Sequence, residues 1–157
     1  MAGQHSILVN IRKGQLIVLD GEGNAVAAYP VICGRNSPRG TKEAEGDERT
    51  PRGEYRICTV NGKSQFCFFY GLSYPGPGDA ARGMERGALG QDDFERIMDA
   101  HRRGARPPWD TPLGGEIGIH GGGIGRDGTR GCVAMRDEDC LTLRDYVGAG
   151  TPVKIEY

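Results

Sequence analysis

Glycine limits this chain more than any other residue: 27 glycines, joined by 9 prolines, are spread through 157 residues. Backbone that is so often free to take φ > 0, or locked near the proline value, does not sustain long helices. It favours many short elements joined by shaped loops, which leans towards a mainly β architecture. The length suits one domain, and no composition shift, repeat or low-complexity tract divides residues 1–157.

Hydrophobic periodicity sharpens this expectation. Ile7 to Ile11 and Gln15 to Leu19 alternate apolar and polar residues with Lys13-Gly14 between them, and Ala25 to Cys33 follows the turn Asp20 to Asn24. Period-two alternation with glycine turns predicts an antiparallel meander. Residues 34–53 read as a polar, charged loop. A strand is expected from about Glu54 to Val60, a turn at Asn61 to Ser64, and an aromatic-rich strand from Gln65 to Leu72. Residues 73–90 read as a long surface loop with one helical turn. Gln91 to Arg103 predicts a helix, with Phe94, Ile97, Met98 and His101 on one stripe and Asp92 and Asp93 in the first turn. Glu116 to His120 predicts a short strand, Asp137 to Val147 a second helix and Pro152 to Glu156 a closing strand. The fold expected is thus mainly β, an antiparallel sandwich or mixed sheets with two short helices.

Charge and hydropathy exclude some partners. Lys and Arg total 20 against 21 for Asp and Glu, so no basic field exists to hold a nucleic acid backbone. Mean hydropathy is -0.50, and no apolar run approaches the ~20 residues that cross a bilayer. The N-terminus MAGQHSILVN lacks the apolar core of a secretory signal. Cysteines stand at 33, 58, 67, 132 and 140, an odd count without CxxC spacing. Cys58 and Cys67 flank the Asn61 to Ser64 turn, so a cross-strand disulfide is weighed there against two buried thiols.

The chemistry is concentrated in Ile117 to Met135. His120 ends a strand, a glycine-laden loop follows, and Gly131-Cys132 comes before the last helix. Only the thiolate of cysteine attacks carbonyls, and at its free pKa of about 8.5 it needs a base nearby. Glycines allow close backbone approach, main-chain N–H groups near Cys132 form an oxyanion hole, and a helix starting just after Cys132 would add positive potential. Spacing alone does not link His120 with Cys132.

Three ordered motifs make that link. IHG at 119–121 with TRGCVAM at 129–135, RTPRGEYRI at 49–57, and GLSYPGPGDAARG at 71–83 with TPLGGEIGIHGGG at 111–123 resemble the L,D-transpeptidase (YkuD-type) family, from about Ile7 to Ile155. The last two segments, with Gly-Cys-x-Ala, resemble a subgroup with a long loop before the catalytic histidine. The resemblance implies packed antiparallel sheets with small helices. Cys132 matches the acylated nucleophile and His120 its general base. Gly121 matches the carbonyl that orients the imidazole, Gly131 and Cys132 the oxyanion donors, and Thr129 the hydroxyl residue that shapes the turn beside the substrate.

Two positions depart from the family pattern. Arg130 stands where many members have His, and Ala134 where many carry Arg or Asn, so Arg126 or Arg130 is the candidate to grip a substrate carboxylate. The plainer reading pairs Arg130 with Asp127. Tyr74 and Asp79 match subgroup positions beside the cleft and are candidates to contact the stem peptide, although turn formation by Pro75 to Gly78 explains the same residues and is the plainer reading. Trp109 lines the cleft or caps the core, and His101 sits exposed or half-buried on a charged helix. Cys140 reads as a small core residue, and Cys33 reads as buried at a strand end, with a second cleft thiol as the alternative.

The implied activity is peptidoglycan L,D-transpeptidation in the periplasm or cell wall. A single-domain monomer would act on stem peptides and be open to covalent inhibition by a carbapenem, with no cofactor or metal. A carboxypeptidase or related murein amide hydrolase on the same site, and a non-catalytic peptidoglycan-binding domain, are the alternatives. Gly123 to Gly128 matches GxGxxG, but its glycines run on to Gly131 among antiparallel strands rather than opening a βαβ helix. The three histidines lack zinc-ligand spacing.

Overall fold

The computed structural model describes residues 4–64 and 67–157, with the backbone alone at Lys63, Ser64 and Cys67. These residues form eight strands in chain order: β1 Ser6–Asn10, β2 Gln15–Leu19, β3 Ala25–Ile32, β4 Gly53–Ser64, β5 Cys67–Leu72, β6 Gly118–His120, β7 Val133–Met135 and β8 Pro152–Glu156. They close on themselves in the order β1-β2-β3-β7-β6-β5-β4-β8. The expected sandwich is therefore a closed, mixed circuit. β1 pairs with β8 and β6 with β7 in parallel, and the other neighbours are antiparallel. Closure leaves few open strand edges, the feature that makes an exposed sheet prone to association.

Alternation places the core as expected. Ile7, Val9, Leu16, Val18, Val153 and Ile155 point inward from β1, β2 and β8, each 2% exposed or less. Burying such a side chain contributes about 1.5–3 kcal/mol before entropy is counted. β6 and β7 are buried at every position, so they carry no alternation. They form the inner wall on which the candidate residues sit.

Among the described residues there are three α-helices rather than two: α1 Pro77–Glu85, α2 Gln91–Arg102 and α3 Asp137–Leu143. α2 buries Ile97 from the expected stripe, with Phe94, Met98 and His101 partly buried, and also Ala100, which that stripe did not include; Asp92 and Asp93 lie in the first turn. α1 lies inside the segment read as a surface loop. Pro77 occupies its first turn, where a missing N–H costs nothing. Gly83 packs where a Cβ would stand 3.1 Å from Leu113 Cδ2 and 3.2 Å from Leu89 Cβ, so this glycine allows close packing rather than breaking the helix.

β4 also differs from expectation. It runs on through Asn61 to Ser64, the residues read as a turn, and the register sets Asn61 against Phe69 and Ser64 against Cys67. Ile57 lies opposite Leu72, so Cys58 and Cys67 are separated along the ladder and do not face each other. At ~3.3 Å per residue the offset is roughly 15 Å, too far for a disulfide. Cys33, Cys58 and Cys132 are free thiols, and the side chain of Cys67 lies outside the described residues.

Candidate active site

The site is built on the parallel pair β6–β7. Ile119 lies opposite Val133 and His120 opposite Ala134. Carried one residue back, this register sets Gly118 against Cys132. Cys132 thus stands at the entry to β7 beside Gly118, whose N–H favours its thiolate, and Gly118 lies two residues before His120 on β6. Parallel neighbours need a crossover, usually a helix. Here the chain returns from His120 to Val133 through residues 121–132, and glycines supply the bends. The strand β7 follows Cys132 directly, so the positive potential expected from an adjoining helix is absent and α3 begins only at Asp137.

His120 is 5% exposed, and its Nδ1 lies 2.5 Å from the Gly121 carbonyl oxygen. A carbonyl only accepts, so Nδ1 carries the hydrogen and Nε2 is the basic nitrogen. Phe69 stacks beside the imidazole, with ring centroids 6.2 Å apart and planes at 15°. That stacking requires glycine at 118, because a Cβ there would lie 2.5 Å from Phe69 Cζ. Burial pulls the His120 pKa below the ordinary imidazole value. The Gly121 carbonyl opposes the shift and Arg126 adds to it.

Cys132 is partly exposed, and its thiol donates to the Glu116 carbonyl oxygen at 3.4 Å. Burial of the sulfur pushes its pKa up to about 11. The Gly118 N–H, Lys42 and Arg126 favour the thiolate, and Glu116 opposes it. At neutral pH the resting pair is thus thiol and neutral imidazole.

The turn before Cys132 is tied from both sides. Thr129 Oγ1 accepts the Gly131 N–H at 3.0 Å and donates to the Cys132 carbonyl oxygen at 2.6 Å. Thr50 Oγ1 donates to the Gly131 carbonyl oxygen at 2.8 Å and accepts the Gly34 N–H at 2.8 Å. This corrects two expectations. The Gly131 N–H is committed to Thr129, so it is not a waiting oxyanion donor in this geometry. Thr129 is 6% exposed with its hydroxyl used internally, so it shapes the turn and does not reach a peptide. Thr50, 0% exposed, is a positioning residue whose only sequence signal was the Thr-Pro that opens the second motif.

Tyr74 and Asp79 likewise lie inside. Tyr74 is 0% exposed and donates its hydroxyl to the Leu113 carbonyl oxygen at 2.8 Å. Asp79 accepts from Tyr55, Gly76 and Arg82. They hold the loop and α1, and their polar atoms are spent within the chain rather than on a stem peptide. Arg126 and Arg130 are both exposed. No ion pair joins Arg130 to Asp127 among the described residues. Arg126 bears electrostatically on both Cys132 and His120.

Lys42 escaped the sequence reading because it sits in a charged loop. It is 5% exposed, and its Nζ donates to Asp47 Oδ1 and to the Ala44 carbonyl oxygen, each at 3.0 Å. Burial acts to raise the Asp47 pKa. The Glu43 N–H, Lys42 and the Ala44 N–H outweigh it and hold the carboxyl below its ordinary value. A buried ammonium needs such pairing, and this one adds positive charge near the nucleophile. Trp109 is half-buried against Gly115, where a Cβ would come within 2.4 Å of Trp109 Cβ, and Arg106 stacks on its ring at 4.2 Å. His101 is partly buried, with Nε2 2.7 Å from the Pro75 carbonyl oxygen. Among the described residues no cluster of His, Cys, Asp and Glu is arranged to hold a metal ion.

The sequence matches the YkuD family model, described as the L,D-transpeptidase catalytic domain, over residues 4–155. No curated protein matches it significantly. Several solved structures share the fold. The helical cell shape determining protein Pgp2 from Campylobacter jejuni aligns with a TM-score of 0.67 at 21% identity, covering 97% of this chain and 47% of that one. Bd1075 from Bdellovibrio bacteriovorus aligns at 0.64 and 20%, over 98% and 48%. An L,D-transpeptidase from Xylanimonas cellulosilytica aligns at 0.55 and 16%, over 99% and 62%. The chain spans about half the length of the first two, and at these identities the likeness is one of fold.

Proposed function

Since the chain belongs to the L,D-transpeptidase catalytic-domain family, matched across residues 4–155, we propose that it is a peptidoglycan L,D-transpeptidase working through Cys132 and His120. The observation that supports this reading is the parallel register of β6 and β7, which sets Cys132, the residue before β7, alongside the strand that ends in His120, with Nδ1 of the imidazole held at the Gly121 carbonyl. That arrangement gives a nucleophile, a base in one defined tautomer and an orienting carbonyl.

In the proposed reaction the thiol turns from the Glu116 carbonyl towards His120. Nε2 takes its proton as the sulfur attacks the carbonyl carbon of the L-centre diamino acid in a tetrapeptide stem. The C–N bond to the terminal D-alanine breaks, the departing nitrogen takes the proton from His120, and a thioester to Cys132 remains. An amine resolves the thioester to give a new amide, or water resolves it to give a shortened stem. The Cys132 N–H is the remaining donor proposed for the oxyanion, and Arg126 is proposed to grip a substrate carboxylate. Peptidoglycan lies outside the inner membrane, so the proposed working place is the periplasm or cell wall. No helix among the described residues is long and apolar enough to cross a membrane.

Incubation with purified tetrapeptide muropeptides, read by mass spectrometry, tests this. Cross-linked dimers support a transpeptidase, shortened monomers a carboxypeptidase, and no change a binding domain. A carbapenem should add once, at Cys132; an unlabelled protein sinks the catalytic reading. Arg126→Ala should raise KM for the tetrapeptide about tenfold, the size of one charge-assisted contact. An unchanged KM removes Arg126 from the substrate grip.

A further inference from the structure

The Glu116 side chain has no part in the acylation just described, yet its main chain touches the nucleophile. Its main-chain carbonyl accepts the Cys132 thiol at 3.4 Å. Its backbone is in the left-handed region at φ 57°, where glycine would sit without strain, and the two preceding residues, Gly114 and Gly115, are glycines. The carboxylate is exposed. It forms no ion pair among the described residues, whereas Glu43 pairs with Arg49 and Asp47 with Lys42 in the neighbouring loop.

Its charge also has the wrong sign for the first half-reaction. Lys42 and Arg126 favour a thiolate at Cys132, whereas Glu116 disfavours one. An anion beside a nucleophile that must ionise slows acylation, so a carboxylate there suits a different step. Once Cys132 is acylated, the sulfur carries no charge to repel. The next reactant is a primary amine, which is an ammonium at neutral pH. A carboxylate on the residue whose main chain touches the sulfur raises the local concentration of such a cation and holds it in range.

We propose that Glu116 is the acceptor subsite, a carboxylate that recognises a primary ammonium beside the thioester and so favours transfer to an amine over hydrolysis. The inference rests on the proposed transpeptidase reading and names the class of its second substrate. The ammonium loses one proton to water, the free amine attacks the thioester carbon, and the C–S bond breaks as the C–N bond forms. The second proton passes through His120 to the departing sulfur.

The test compares the wild type with Glu116→Gln and with Glu116→Gly, the latter suited to the left-handed backbone. Each is given a tetrapeptide donor and either Nα-acetyl-lysine or hydroxylamine, the second uncharged at neutral pH. Mass spectrometry gives the ratio of transfer to hydrolysis. Both variants should acylate faster, because the opposing charge is gone. Their ratio with Nα-acetyl-lysine should nonetheless fall about threefold to fivefold, the scale of one solvent-exposed ion pair. Transfer to hydroxylamine should keep pace with acylation. Equal ratios with Nα-acetyl-lysine in variants and wild type overturn the subsite while leaving the transpeptidase reading intact. A wild type that forms no thioester overturns both.

Discussion

Replacing Cys132 by alanine is expected to remove every covalent adduct from the tetrapeptide or a carbapenem, while the wild-type thiol reacts with iodoacetamide about tenfold faster for each unit of pH above neutrality. Burial pushes Cys132 up to about 11, and the help of the Gly118 N–H, Lys42 and Arg126 does not cancel it. His120 moves the other way, below its ordinary value, again through burial. Both shifts disfavour charge, so the resting pair is neutral. The thiolate fraction then grows tenfold per unit until pH nears about 11. A preformed thiolate–imidazolium pair would instead give a plateau across neutrality, and finding that plateau refutes the neutral resting state. His120→Ala should leave the steep alkylation profile in place. It should slow acylation by about 10²–10⁴, because only the peptide reaction needs a base in the transition state. The other buried thiols are poor competitors: Cys33 is pushed up to about 12, chiefly by burial, and Cys140 is 0% exposed. Peptide mapping of wild type against Cys132→Ala assigns the label.

The contrast between legible and hidden parts of the molecule follows from where the information lies. β1, β2, β3, β8 and α2 are readable because each has one wet and one dry face, and alternation records that locally. β7 has three residues and no wet face, so nothing periodic marks it, whereas β6 is found as the short apolar run that ends at His120. Val133 to Met135 accordingly reads as the run-up to a helix and not as a strand. α1 hides behind Pro77, Gly78 and Gly83, residues that break helices in isolation. The first stands where a helix starts, and the last lies against Leu113. Cys132 and His120 are nameable from motif resemblance, but their segments are brought side by side by a parallel register, which spacing does not encode. Lys42, Tyr74 and Asp79 show the same limit in reverse. A polar residue in a Gly- and Pro-rich or charged stretch reads as solvated, and only tertiary packing shows it closed in.

Asp79→Ala is expected to lower the melting temperature by about 6–15 °C, equivalent to roughly 3–5 kcal/mol for a domain of this size. Asp79 is 5% exposed. Its Oδ2 accepts the Tyr55 hydroxyl at 2.7 Å and the Gly76 N–H at 2.9 Å, and its Oδ1 accepts Arg82 at 2.8 Å. The carboxylate thus pins the N-terminus of α1 to β4. Alanine leaves a buried hydroxyl and a buried N–H without partners, and each orphan costs about 1–3 kcal/mol. Asp79→Asn retains an acceptor and should cost far less. Its effect should also depend on pH. Burial raises the Asp79 pKa in the folded chain despite its bonds to Tyr55, Gly76 and Arg82, so folding favours the protonated acid. Its contribution is therefore fullest below the unfolded-state value and diminishes as pH rises through the folded one. The neutral amide of the asparagine variant carries no such penalty, so melts from about pH 4 to neutrality should show that variant gaining on wild type as pH rises. Asp47, held below its ordinary value, has the opposite sign: its contribution is present above the unfolded value and lost as pH falls through the folded one. An alanine variant at position 79 that melts within about 2 °C of wild type would mean that α1 is held by its apolar contacts with Leu89 and Leu113 and not by this carboxylate.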